Sequence, residues 1–149
     1  MKASIRCRPI ALWFARLALA AGFLSAVADR FGLWGQAGNA GVVWGDWEHF
    51  VAYSASLNSF VPDALQTPIA MTATLAEVIL PIGLLIPQTA RPAAVLSGCL
   101  LLVFGFVMVV SSGVKAPLDY SVFSAAAAAF LLSVFPVSEV SPSPHEPIV

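Results

Sequence analysis

The sequence predicts an all-α protein, a polytopic membrane four-helix bundle with an external interfacial helix between its first two transmembrane helices. Composition is the first reason, because 59% of the 149 residues are hydrophobic and only 10% are charged, whereas a soluble domain has about a quarter charged residues. Length is the second, because apolar runs of about 20 residues, enough to span a hydrocarbon core of about 30 Å, recur along the chain. We expect a single transmembrane domain over residues 1–135, followed by a short tail.

The first predicted transmembrane helix covers residues 10–28 and follows a basic start. Ala18, Gly22 and Ala26 recur every four residues, a pattern that lets a neighbouring helix approach closely. A basic start and an apolar run that ends on small residues are also typical of a cleaved signal peptide. Arg16 interrupts the run, and the run is long for a signal peptide, so we expect a retained helix.

Residues 29–66 form a long predicted loop that is net acidic and rich in aromatic side chains. Within it, residues 47–57 place apolar side chains at helical spacing, which predicts a helix on the outer membrane surface with its tryptophans at the interface. Asp46, Glu48 and His49 resemble metal ligands in type, but their spacing matches no known ligand set. We therefore predict a solvated face here and no metal site.

The second predicted helix, residues 67–86, carries the most unfavourable residue for a bilayer. Thr67 would cap this helix, and Pro68 would occupy its first turn. Glu77 lies near the middle, where a charge costs about 3 kcal/mol on insertion scales. Pro81, four residues later, has no N–H group for the carbonyl of Glu77, so we expect a kink. Two interpretations stay open: a hydrogen-bonded packing group, or a carboxylate that handles protons or binds a ligand.

Arg16 is a second charge inside a predicted span. It lies about 9 Å along the first helix at the usual helical rise. Its side chain is long enough to snorkel to the headgroups, and its depth differs from that of Glu77 by only about 4 Å, which also allows an ion pair. Both interpretations stay open, and Glu77 and Arg16 are the candidate catalytic residues.

The second half of the chain predicts two more transmembrane helices. A turn that contains Arg91 joins the second helix to a third, residues 93–110, in an antiparallel hairpin. A fourth helix covers residues 117–135, with Asp119 in its first turn, where an acidic side chain is favoured by the helix dipole. We take Pro81, Arg91 and Asp119 as structural residues. Small residues recur every four positions along the fourth helix and predict a packing face: Ser121, Ala125, Ala129 and Ser133.

The distribution of basic residues predicts the orientation of the chain. One side of the predicted spans is flanked by Lys2, Arg6, Arg8 and Arg91, and the other by Arg30 and Lys115. Because basic residues concentrate on the cytoplasmic side, we expect a multi-pass protein of the cytoplasmic membrane with both termini inside. Residues 136–149 would then be a disordered cytoplasmic tail. The lipid bilayer is the expected partner, and a net charge of -1 argues against nucleic acid.

Three stretches of the chain form a recognisable pattern. The most telling combines Glu77, Pro81–Ile86 and Thr89–Ala94. The others are Arg16–Leu19 with Gly22–Leu24, and Gly113–Ser121. With this pattern the chain resembles the DoxX family of small four-helix membrane proteins, over nearly all of residues 10–135. The resemblance implies a four-helix bundle in the cytoplasmic membrane of a bacterium or an archaeon.

The DoxX resemblance also implies a field of function. The family is named for membrane subunits similar to those of thiosulfate:quinone oxidoreductase, and other members are linked to oxidative-stress complexes with soluble redox partners. A related methylamine-utilisation branch carries redox cysteines, whereas Cys7 and Cys99 are far apart in this chain and form no CxxC pair. That difference weakens a thiol-based role.

Three functions stay open on the sequence. The first is a membrane subunit or anchor of a redox system, quinone-linked or concerned with oxidative stress, with a soluble oxidoreductase as partner. The second is a non-catalytic scaffold or assembly factor, and the third is a small proton-linked carrier that works as a homo-oligomer. The chain has no catalytic or dinucleotide motif, and His49 and His145 lie outside the predicted spans. No cofactor is therefore evident, and a quinone is the class compatible with the first function.

Overall fold

The computed structural model describes residues 2–135, with the side chains of the first helix from Pro9 onward. Within this range the chain is all-helical and contains no strand. The predicted tail, residues 136–149, lies outside the described residues. The helices are α1 (Lys2–Arg30), α2 (Trp47–Leu57), α3 (Asp63–Leu85), α4 (Ala90–Ser112), α5 (Lys115–Asp119) and α6 (Val122–Val134).

Three of these helices are long and apolar enough to cross a membrane. They are the part of α1 from Pro9 to Arg30, with 22 residues, and α3 and α4, with 23 residues each. This result supports the prediction of a membrane protein with transmembrane helices. α6 is also apolar but has only 13 residues. α2 has the predicted limits of the helix between the first two spans.

The long helices all begin earlier than predicted, and α1 and α4 also end later. α3 begins at Asp63 after the N-cap residue Pro62, so Thr67 is not the cap of this helix and Pro68 lies inside it. The buried side chain of Gln66 explains the earlier start. Its Nε2 atom donates to the carbonyls of Asn58 and Val61, both at 2.8 Å, and so ties α3 to the end of α2.

The structure divides the predicted fourth helix into α5 and α6. Ser121 has a left-handed backbone conformation with φ 55°, which a continuous helix does not allow. Asp119 is therefore the last residue of α5 and not part of a first helical turn. Its carboxylate forms an exposed ion pair with Lys115, one turn earlier in the same short helix.

α1 and α3 pack side by side in opposite directions. Leu12, in the first half of α1, belongs to a hydrophobic cluster with Leu84 at the end of α3, while Arg30 at the end of α1 contacts Thr74 at the midpoint of α3. We call the end of the molecule with the connection 86–89 the turn end, and the end with residues 31–46 the loop end. The buried cluster at the turn end is completed by Ala93, Ala94 and Leu132.

The predicted packing face of the fourth helix is present in part. Ala129 is fully buried and Ser133 is buried, but Ser121 is exposed and Ala125 is half-buried. α6 packs on α4, where the Phe130 ring lies against Gly98.

The hairpin of α3 and α4 requires a glycine at position 83. A Cβ atom added to Gly83 would lie 2.8 Å from the Cβ of Ala93, which has no side-chain torsion to move it away. We expect Gly83→Ala to lower the free energy of unfolding by about 1–3 kcal/mol, since the two helices must separate. Gly22→Ala on α1 is the control, because a Cβ there meets nothing within 4 Å. Equal unfolding free energies for the two variants in detergent would contradict this account of the hairpin.

Candidate functional site

A buried ion pair joins the end of α1 to the middle of α3. Nη1 of Arg30 pairs with Oε2 of Glu77, and both residues are only 3% exposed. The same Nη1 atom donates to Oγ1 of Thr74 at 2.7 Å, and the Thr74 hydroxyl donates to the carbonyl of Ala70 at 2.8 Å. Arg30 therefore balances the charge of Glu77, and Arg30 is itself fixed by a hydrogen bond to Thr74 on the same helix as Glu77.

Of the two interpretations left open for Arg16, the structure does not show the ion pair with Glu77. Arg16 is also buried, with 2% exposure, but its guanidinium lies 5.4 Å from the centre of the Trp13 ring and forms no ion pair with Glu77. The Nε and Nη1 atoms of Arg16 have no hydrogen-bond partner among the described residues. Side chains on a helix lean toward its N-terminus. Arg16 consequently leans toward the turn end, whereas Glu77 on the antiparallel α3 leans toward the loop end.

Aromatic side chains cover the Arg30 guanidinium on the loop side. The carbon at its centre lies 3.8 Å from the centre of the Phe50 ring and 5.3 Å from the Trp44 ring. The two rings meet edge to face, with 5.1 Å between their centres. The guanidinium is thus enclosed by these two π faces and by Glu77 and Thr74, an arrangement in which cation–π attraction is strong because water is excluded.

Asp29 places Trp44 above the ion pair. Its buried carboxylate accepts hydrogen bonds from three consecutive backbone N–H groups, those of Val43 at 2.9 Å, Trp44 at 3.2 Å and Gly45 at 3.3 Å. The two adjacent residues at the end of α1 therefore make different contacts. Asp29 binds the backbone of the loop, and Arg30 forms the ion pair with Glu77 of α3.

The N-terminus of α2 is fixed by a local cap. The Asp46 carboxylate accepts a hydrogen bond from the backbone N–H of His49 at 2.8 Å and contacts its ring Nδ1 at a similar distance. These hydrogen bonds hold the pKa of Asp46 below its usual value. The cap positions α2, whose buried Phe50 covers Arg30.

A cavity of about 600 Å³ lies at the loop end, with the ion pair in its wall. Its volume falls in the range of roughly 300–1,000 Å³ that is common for small-molecule sites. The wall is mostly apolar and is formed by α1, α2, α3, α4, the loop and the residues around α6. Tyr53 and Tyr120 line it as well. Burial raises the pKa of Tyr53, and the electrostatic interaction with Tyr120 raises it further.

Two buried hydrogen-bond donors of the cavity wall have no acceptor among the described residues. They are Nε of Arg30 and Nε1 of Trp44. A buried donor without a partner costs about 1–3 kcal/mol. Both nitrogen atoms have almost no accessible surface, so an acceptor in the cavity would be bound favourably once a shift of these side chains brings the N–H groups to the cavity wall. The polar corner of the cavity suits a ligand with a carbonyl oxygen.

A second cavity of about 470 Å³ adjoins the first. Ala18, Gly22 and Ala26 line it, and the position of a Cβ on Gly22 is open space. The predicted close approach of another helix to this face of α1 is therefore absent among the described helices. Four residues line both cavities: Gly22, Ala26, Glu77 and Leu101.

No protein-family model, curated protein or solved structure matches this chain.

The residues predicted to be structural do not line either cavity. Pro81 is fully buried inside α3, Arg91 is exposed in the first turn of α4, and Asp119 is exposed at the end of α5. The sequence interpretation missed Arg30, which had been assigned to the outer flank of the first span. The signal that could have identified it is the opposite lean of side chains on antiparallel helices.

Proposed function

We propose that this protein is an integral cytoplasmic-membrane protein of DoxX type that binds a quinone as the membrane subunit of a redox system. The observation that carries the proposal is the apolar cavity of about 600 Å³ whose polar corner is the buried pair of Arg30 and Glu77. A four-helix bundle, with α5 and α6 together as the fourth element, is the architecture that the proposal assumes.

A quinone fits the chemistry of this cavity. Its ring is flat and apolar on both faces, and its two carbonyl oxygens accept hydrogen bonds but donate none. The unpartnered N–H groups of Arg30 and Trp44 would each find an acceptor in such a carbonyl. Most of the remaining wall is aliphatic or aromatic, which suits the ring.

The ion pair gives the cavity a group that can exchange a proton with the ring. Reduction of a quinone to a quinol takes two electrons and two protons, and each carbonyl oxygen becomes a hydroxyl. In our proposal a soluble oxidoreductase supplies the two electrons. Glu77, which lines the cavity, takes up one proton from water, passes it to the adjacent oxygen and returns to its carboxylate form, while water supplies the second proton to the other oxygen. Arg30 holds that carboxylate in place and does not itself transfer protons.

The orientation follows the basic flanks of the spans. Lys2, Arg6, Arg8 and Arg91 would be cytoplasmic, which puts both termini inside and the loop end outside. Arg30 is neutralised by Glu77 and is a weaker topological signal than an exposed flanking charge. Four basic flanking residues therefore favour this orientation, and among those flanks only Lys115 opposes it.

Trp44→Phe tests the quinone proposal with little change of shape, because it retains an aromatic ring but removes the unpartnered Nε1–H. We expect the variant to bind quinone about 5- to 30-fold more weakly, the equivalent of one hydrogen bond of about 1–2 kcal/mol. The protein is purified in mild detergent, and the quinone and proteins that co-purify with it are identified. The affinity for added quinone is then measured on the same preparation.

Trp47→Phe is the matched control, because Trp47 lies on α2 outside the cavity and stacks on Phe31. Its affinity should equal that of the unchanged protein. If the unchanged protein carries no quinone and binds none that is added, the redox proposal fails. A scaffold or a proton-linked carrier would then be the function to test.

A further inference from the structure

The second cavity has no function in the proposal so far, although it adjoins the first beside Glu77. Gly22 and Ala26 belong to both walls and have too little side chain to form a barrier between the cavities. A molecule in the first cavity would therefore find space that continues along α1 toward the turn end.

The chemical character of the two cavities differs. The first contains Asp29, Arg30 and two tyrosines, whereas the wall of the second is apolar apart from Glu77 at the shared boundary. The second cavity thus has no partner for a polar group once Glu77 is paired with Arg30. Its occupant must be an apolar chain.

The second cavity is also accessible from the side of the molecule. Phe14, Ala18 and Gly22 on α1 line it and are exposed, and Ala125 and Ala128 of α6 form part of its wall. All three exposed residues belong to the segment of α1 that is able to cross a membrane. The opening between α1 and α6 would therefore face lipid tails and not water.

We infer that the second cavity holds the apolar tail of the ligand whose head group binds at Arg30 and Trp44. The protein is then selective for a carbonyl-bearing ring that carries a long apolar tail, and this ligand enters sideways from the bilayer between α1 and α6. This inference rests on the proposed quinone function and adds the class of quinone. The small residues Ala18 and Gly22 are the specificity determinants, because larger side chains there would fill the space for the tail.

Ala18→Leu and Ala128→Leu test the inference, since both residues line the second cavity and neither lines the first. The probes are a quinone with a long polyisoprenoid tail and the same ring with a methyl group in place of the tail, each titrated into protein in lipid nanodiscs. The affinity of each probe is compared between the variant and the unchanged protein, so the partition of that probe into the lipid cancels. We expect both variants to bind the long-tailed quinone about tenfold more weakly or worse, with the methyl compound changed less than about twofold.

Ala21→Leu is the matched control, because Ala21 is exposed on α1 and lines neither cavity. It should leave the affinity for both probes unchanged. Equal loss of both probes in the two variants, or no loss of either, overturns the tail site but leaves the head-group site standing. Failure of the unchanged protein to bind either probe overturns the proposed function and the tail site with it.

Discussion

Glu77→Leu should lower the free energy of unfolding by about 3–5 kcal/mol, because it leaves the Arg30 guanidinium buried and without its counter-charge. Thr74 would still accept one hydrogen bond from Arg30, but a neutral hydroxyl does not offset the charge. The measurement is reversible unfolding in mixed micelles, followed by helix content. Arg30→Met should have an effect of similar size, since it leaves Glu77 unpaired.

Double variants separate the ion pair from a general loss of packing. Arg30→Met combined with Glu77→Leu removes both charges, so its cost should fall well below the sum of the two single changes. Arg16→Met combined with Glu77→Leu is the matched comparison, because Arg16 makes no ion pair with Glu77. That combination should be additive within about 0.5 kcal/mol. Additive behaviour of the Arg30 combination would contradict the ion pair.

Gly45→Ala is the second change with a large expected effect. Gly45 has φ 76°, and a Cβ there would lie 2.2 Å from the backbone nitrogen of Ala37 and 2.7 Å from the carbonyl carbon of Gln36. Since the obstacle is backbone, no rotamer change relieves it. We expect a loss of about 2–5 kcal/mol in unfolding free energy, the combined cost of a left-handed alanine and of overpacking.

Gly38→Ala isolates the backbone part of that cost. Gly38 has φ 90°, but a Cβ there meets nothing within 4 Å, so only the conformational penalty of about 1–2 kcal/mol applies. The backbone N–H of Gly45 also donates to Asp29 next to Trp44, so the Gly45 variant should weaken the proposed quinone binding as well. Equal stability of the two alanine variants would show that the loop does not pack as the structure has it.

The long helices could be predicted from the sequence because they are produced by a local pattern, a long run of apolar residues. The apolar runs around Glu77 and Cys99 are long enough to span a bilayer, and the structure has helices there. Their ends were less predictable. The start of α3 at Asp63 depends on Gln66, whose side chain bonds to carbonyls of the preceding loop, and no local pattern reveals such a contact.

The sequence left open whether Glu77 forms an ion pair, and the partner considered was Arg16, whereas the structure pairs Glu77 with Arg30. Counting residues from the membrane edge gave Arg16 and Glu77 similar depths, but that count places each side chain level with its own Cα. In the structure Arg30 at the end of α1 pairs with Glu77 in the middle of α3. Side chains on antiparallel helices lean in opposite directions, which can bring together residues whose Cα atoms lie at different depths. The aromatic cover of Arg30 was not foreseen because it depends on a hydrogen bond over long sequence distance, from Trp44 to Asp29.

The division of the buried charges between α1 and α3 has a consequence for biogenesis. During synthesis α1 enters the bilayer first, and Arg30 then has no counter-charge until α3 follows. Arg30 and Glu77 each lack a counter-charge until the two helices meet, so this pair becomes neutral only when α3 packs against α1. A ribosome that stalls between the two segments would leave α1 with an exposed guanidinium.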